Sequence, residues 1–91
     1  MADAVWKYTL SWDDFQEIQL PIFCQVLSFA MQNDMPTIWA LVNTYYASET
    51  RKTRFAFVVT GYVLPTAEWI YIGTIHHEHH VGHLFQEAYH G

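Results

Sequence analysis

The stretch Thr53-Arg54-Phe55-Ala56-Phe57-Val58-Val59-Thr60 decides the fold. Phe55, Phe57 and Val59 alternate with Arg54, Ala56 and Val58, a period of two that suits a half-buried strand and no helix. Working outward, Trp69 to Ile75 is a second aromatic and β-branched run, and Val81 to Ala88 a third. Toward the start, Val5 to Leu10 sets Trp6, Tyr8 and Leu10 against Val5, Lys7 and Thr9. Phe15 to Leu20 ends at Pro21, a residue confined to strand ends, edges and bulges. Cys24 to Gln32 places Leu27, Phe29 and Met31 on one face. Thr37 to Val42 is apolar throughout, as expected of a central strand buried on both faces.

Turn chemistry separates these runs. Trp12-Asp13-Asp14 reads as a hairpin tip, Asn33-Asp34-Met35-Pro36 as a turn, and His76 to His80 as a second polar tip. Asn43 to Lys52 reads as the longest loop, and Gly61 to Glu68, with Pro65, as another connection. The sum is about seven short strands at roughly 8–12-residue spacing, which predicts an all-β domain, a small antiparallel sandwich or partly open barrel. The best helical rival runs from His76 to Tyr89, but Gly82 and the β-branched Ile75 oppose it.

With 91 residues there is room for one domain spanning 1–91. The formal net charge is −5, with only 4 Lys and Arg. That balance argues against nucleic acid, because neutralising phosphates takes several cations. A hydrophobic share of 52% argues against disorder. No apolar run reaches the ~18 residues of a spanning helix, so no membrane partner is expected. The opening residues lack the pattern of a secretory signal. One cysteine, Cys24, fits a reducing, cytoplasmic setting.

His76, His77, His79, His80 and His83 lie within eight residues, with His90 close behind. Imidazole is a common metal ligand, and His77, His79 and His83 are the candidate metal set. The zincin spacing fails, since Val81 stands four residues after His77. A solvated hairpin tip that picks up metal adventitiously outweighs a dedicated site, and a shared charging near pH ~6 is a further reading. No cofactor is expected. Catalytic candidates are poor: Cys24 sits among Ile22, Phe23 and Val26 as a small hydrophobe, Ser28 faces out, and Asp13-Asp14 suit a turn. No glycine-rich phosphate loop exists, and the chain is not expected to be an enzyme.

Sixteen aromatic residues exceed what so small a core can hold. Trp6, Trp39 and Trp69 read as core anchors, and the surplus reads as the centre of a protein interface. Phe29, Met31, Tyr45, Tyr46, Phe57 and Tyr62 are the candidate partner-binding residues, and Phe29, Met31 and Phe57, each on one face of an expected strand, suit the core equally well. A second protein is the expected partner, with a homo-oligomer covering the same rings as the alternative.

Several blocks resemble a family of small phage and prophage proteins of unknown function. They are Trp6-Lys7-Tyr8, Gln32-Asn33-Asp34, Trp39-Ala40-Leu41-Val42, Thr60-Gly61, Tyr71-Ile72-Gly73-Thr74 and His83-Leu84-Phe85. The resemblance covers nearly the whole chain and brings no catalytic residues. The chain departs from the family pattern at Ile22-Phe23-Cys24, Asn43-Thr44-Tyr45-Tyr46, Thr60-Gly61-Tyr62-Val63 and Gly82. Breaks at presumed surface positions, mostly toward aromatic or small residues, resemble an interface engineered onto a natural scaffold. On that reading the chain is a designed protein-binding module, aimed at a target such as a viral glycoprotein or an enzyme. The alternatives are a self-associating phage accessory protein and a His-dependent metal or pH-responsive module.

Overall fold

The computed structural model describes residues 3–89. It is all-β: β1 (Asp3–Thr9), β2 (Phe15–Pro21), β3 (Gln25–Gln32), β4 (Met35–Asn43), β5 (Thr50–Val59), β6 (Trp69–His77) and β7 (His80–Glu87), with one 3-10 turn at Thr44–Tyr46. Two antiparallel sheets form, ordered β1-β4-β3 and β2-β5-β7-β6, and they do not close into a barrel. The alternation in the sequence is what builds them. Thr53, Phe55 and Phe57 point inward from β5, while Arg54 and Lys52 point out.

Phe29 and Ile38 from the first sheet meet Leu20, Phe55, Ile75 and Leu84 from the second, together with Leu10 from the connection between them. All seven are buried, and fully burying each such side chain contributes roughly 1.5–3 kcal/mol before chain entropy is counted. The sheets come closest where β3 runs beside β6. A Cβ at Gly73 would stand 3.2 Å from the Phe29 Cβ, so a larger residue there would have to push β3 and β6 apart by a few tenths of an ångström. A bulge between Tyr71 and Gly73 makes the local bend.

β4 is the central strand of its sheet, as its unbroken apolar run implies, but it is not buried on both faces as expected: Ile38, Ala40 and Val42 are covered, while Trp39 and Leu41 on the other face are half-buried. Two expected turns are corrected. Trp12-Asp13-Asp14 is not a hairpin tip, because β1 pairs with β4 and β2 with β5. The segment is a corner that carries the chain from one sheet to the other. Met35 and Pro36 belong to β4 rather than to the preceding turn, and the Pro36 carbonyl accepts the Leu10 N–H at 2.8 Å. Only Asn33 and Asp34 turn, both with positive φ, as a two-residue hairpin of the primed kind requires. The long Asn43–Lys52 loop also shrinks, since β4 runs to Asn43 and β5 starts at Thr50. The Asn43 side chain accepts the Tyr45 N–H at 3.0 Å and starts the 3-10 turn between them.

The tryptophans divide differently from expectation. Trp6, midway along the edge strand β1, is exposed. Trp39 and Trp69 are half-buried, and Trp69 Nε1 donates to the Pro65 carbonyl at 2.8 Å.

Candidate functional site

β2 is shorter than β5. Its first residue, Phe15, pairs with Ala56, and one further bond joins the Phe57 N–H to the Asp14 carbonyl at 2.9 Å. Beyond it the chain turns away through Ser11–Asp13, so the last residues of β5 have no strand on that side. The edge is framed by two segments. Asp14 and Phe15 form one wall, and the connection after β5 brings Tyr62 and Val63 to the other. Together with Phe57, Val58, Val59 and His80 they bound a cleft of about 630 Å³, within the ordinary range of ligand sites.

Tyr62 and Val63 are 77% and 88% exposed. The turn leading to them is fixed by backbone: the Tyr62 N–H donates to the Val59 carbonyl at 3.0 Å, and the Thr60 N–H to the Val81 carbonyl at 2.9 Å. Gly61 makes the reversal with a φ of +95°, which other residues rarely adopt. A smaller hollow continues the cleft past Phe57 and Val59 to Trp12, Ile75 and His77. There the Trp12 ring lies 4.8 Å from the His77 ring and meets Phe57 edge-on at 5.7 Å.

The candidate partner-binding residues do not form one surface. Tyr62 rims the cleft and half-buried Phe57 lines it. Tyr45 and Tyr46 lie at the opposite end of the strands, in edge-on contact at 4.9 Å, and Tyr46 also meets Phe23 at 5.1 Å. Tyr45 and Phe23 are exposed there, and Tyr46 is half-buried. Phe29 is corrected to a core residue at 8% exposure, because its strand turns that side chain onto Gly73 in the other sheet. Met31, on the same face of β3, is half-buried against the core. A period of two shows which residues share a face, not which face is covered.

Sequence reasoning missed Val58, Val59 and Val63 at the cleft. Two of them read as ordinary strand residues, and β5 overruns β2 by a length that only pairing register reveals.

The histidines do not converge. Among the described residues no three His, Cys, Asp or Glu side chains are placed to hold a metal ion. His77 and His80 face each other across the β6–β7 hairpin, and Glu78 and His79 make its turn, with Glu78 at a φ of +55°. His83 lies along β7, where its Nδ1 is 2.9 Å from Thr74 Oγ1 and its Nε2 is 2.8 Å from Thr60 Oγ1. Both ring nitrogens are thereby engaged, so the set His77, His79 and His83 is not assembled as a metal site. His90 lies outside the described residues.

Cys24 is half-buried against the core, and burial raises its thiol above the ordinary range. Ser28 is exposed on β3. The Asp13 carboxylate accepts the Ser11 hydroxyl at 2.8 Å rather than backbone amides. Of the four segments Ile22-Phe23-Cys24, Asn43 to Tyr46, Thr60 to Val63 and Gly82, the first three put large side chains, Phe23, Tyr45 and Tyr62-Val63, on the surface. Gly82 does not: it is buried beneath Phe57.

The chain belongs to the family described as Domain of unknown function (DUF7352), whose model matches residues 1–90. No curated protein and no solved structure matches the chain. No helix among the described residues is long and apolar enough to cross a membrane.

Proposed function

From a DUF7352 domain with this cleft, we propose that the chain binds another protein and catalyses no reaction of its own. The observation that carries the reading is the pair Tyr62 and Val63, large side chains left open to solvent after a turn fixed by backbone bonds, on the rim of an apolar cleft. Leaving such a pair uncovered forgoes hydrophobic stabilisation that burial in an interface returns. The cleft supplies the features of an interface centre: aromatic and branched side chains, few charges, and Asp14 and His80 as polar groups that orient what docks.

A phage lineage and an interface engineered onto a natural scaffold are the finer part of this reading. They are supported by the resemblance and by the exposure of Phe23, Tyr45 and Tyr62-Val63 at three of its breaks. The half-buried single thiol accords with a reducing, cytoplasmic setting.

The test is affinity capture with the immobilised domain, identification of what is retained, and measurement of its Kd against three variants. Tyr62→Ala and Val63→Ser weaken a specific partner by about tenfold or more while leaving the melting midpoint nearly unchanged. Tyr45→Ala, at the far end, has little effect. Equal binding by the cleft variants and the parent domain overturns the proposal. So does retention only of a second copy of this chain, which is the self-associating alternative.

A further inference from the structure

The open edge in the cleft has a direction and a chemistry. In an antiparallel sheet the N–H and C=O of one residue point to the same neighbour, and the next residue's point to the other. The Thr60 N–H donates toward β7 and the Phe57 N–H toward β2. Val59, two residues after Phe57, therefore aims its N–H at the side where β2 has ended. Its carbonyl is taken by Tyr62, and no backbone acceptor among the described residues takes its N–H on that side. The side chains of Val58 and Val59 flank this donor on opposite faces, as a paired strand would find them.

The charge around the cleft selects among strands. Neither hollow is lined by Lys or Arg. Asp14 lines both, Asp13 precedes it, and Glu78 turns the adjacent hairpin. Among the described residues nothing is hydrogen-bonded to the Asp14 carboxylate. The Arg54 guanidinium lies 4.9 Å over the Phe15 ring at the cleft wall but is paired with Glu87 at 3.2 Å, and with Lys52, Glu17 and Glu87 it lines a separate groove. Arg51 lies over the Tyr89 ring, and Lys7, on β1, sits opposite Trp39. In a chain of net charge −5, this end sets the carboxylates of Asp13, Asp14 and Glu78, beside His77 and His80, around an apolar floor.

We propose that the cleft binds an extended, apolar and basic segment of a partner protein, which adds to β5 as a strand in line with β2. The segment's carbonyl accepts the Val59 N–H, its apolar side chains fill the space between Phe15 and Tyr62-Val63, and a Lys or Arg lies against Asp14. Strand addition draws affinity from main-chain bonds and selectivity from alternate side chains. The inference rests on the protein-binding reading above and narrows it to one kind of ligand. Val59 offers neither a charge nor a proline against such pairing, and with its carbonyl occupied by Tyr62 the N–H is the group left for an added strand.

The test uses the full chain and a soluble probe, acetyl-KVTVRV-amide, with binding read by calorimetry and by the amide signal of Val59 in NMR. The expected result is saturable binding that shifts the Val59 amide and weakens with salt. A probe of the same side chains with the backbone nitrogens on the edge facing β5 methylated binds about tenfold more weakly or worse, because the methyl groups keep its carbonyl from reaching the Val59 N–H. Acetyl-EVTVEV-amide is weakened likewise. On the protein side, Val59→Pro deletes the donor without touching the β5–β7 ladder, and Asp14→Asn removes the charge. Both weaken the basic probe.

Equal binding by the methylated probe overturns strand pairing while leaving a docking cleft intact, so the two readings fail separately. Binding that shifts no Val59 amide, or no binding by any probe, overturns the inference. So does a probe-free domain that self-associates through this edge, which marks the occupant as a second copy.

Discussion

Gly82 lies directly beneath the ring of Phe57: a Cβ added to the glycine would stand 2.0 Å from Phe57 Cζ and within 2.8 Å of two further ring carbons. The ring is held from other sides as well, meeting Trp12 edge-on at 5.7 Å and Phe29 at 6.2 Å. Gly82 is therefore the floor on which the residue joining core to cleft rests. Gly82→Ala must displace the ring, and overpacking of this kind costs about 1–3 kcal/mol. For a domain of this size each kcal/mol lowers Tm by roughly 4–8 °C. The same substitution in a Phe57→Leu background costs less, and a double-mutant cycle on Tm or urea midpoint measures the coupling.

Phe29 and Tyr45 separate core from surface. Phe29→Ala opens a cavity against Gly73 and β6, at a cost of about 3–5 kcal/mol, enough to unfold a marginal domain. Tyr45→Ala, at a position 71% exposed, stays within about 0.5 kcal/mol. Urea melts of the two variants check both, and a mild Phe29→Ala would move that residue back to the surface.

The buried Thr53 hydroxyl pairs with the Tyr89 hydroxyl and also reaches the Arg51 carbonyl at 3.5 Å. Tyr89→Phe removes one partner while keeping a ring for the Arg51 guanidinium, now 4.1 Å from its centroid. The expected cost is about 0.5–1.5 kcal/mol. Tyr89→Ala removes the stack too and costs more, and chemical denaturation of the pair ranks them.

Stability should fall in alkali. Burial raises the Cys24 thiol, and burial followed by the nearby Cys24 thiolate raises the Tyr8 phenol. Both groups lose protons more readily in the unfolded chain, so their contribution is complete below the unfolded value, about 8.5 for the thiol, and is lost as pH rises through the folded one. Denaturant midpoints from pH 7 to 10 decline in the parent domain. Cys24→Ala removes part of that slope, and alkylation of Cys24 at pH 8 is slower than that of a free thiol.

Zinc in excess leaves the melting midpoint where it was, because His83 already shares its two nitrogens with Thr60 and Thr74 and cannot join His77 and His79. A thermal melt with and without zinc decides this, and an upward shift lost in His83→Ala would show that a site assembles.

Much of the fold could be read from the residue order. Phe55, Phe57 and Val59 mark a strand face, and Thr37 to Val42 a central strand, because each is a local rule of backbone geometry acting over a few residues; the turn read over Asn33 to Pro36 is right in place but two residues too long. Trp12-Asp13-Asp14 went astray for the opposite reason. A hairpin tip and a corner between sheets demand the same polar, turn-prone residues, and only pairing partners distinguish them. The site was legible in two of its residues, Phe57 and Tyr62.

Alternation along the chain determined where the strands lie and which side chains travel together, since neighbouring residues on a strand must point to opposite faces. Tertiary structure alone decided which of those faces is covered. Phe29 and Tyr62 are alike in chemistry, yet one is pressed against Gly73 and the other stands beside an edge that β2 is too short to cover, because burial depends on what the rest of the chain brings alongside.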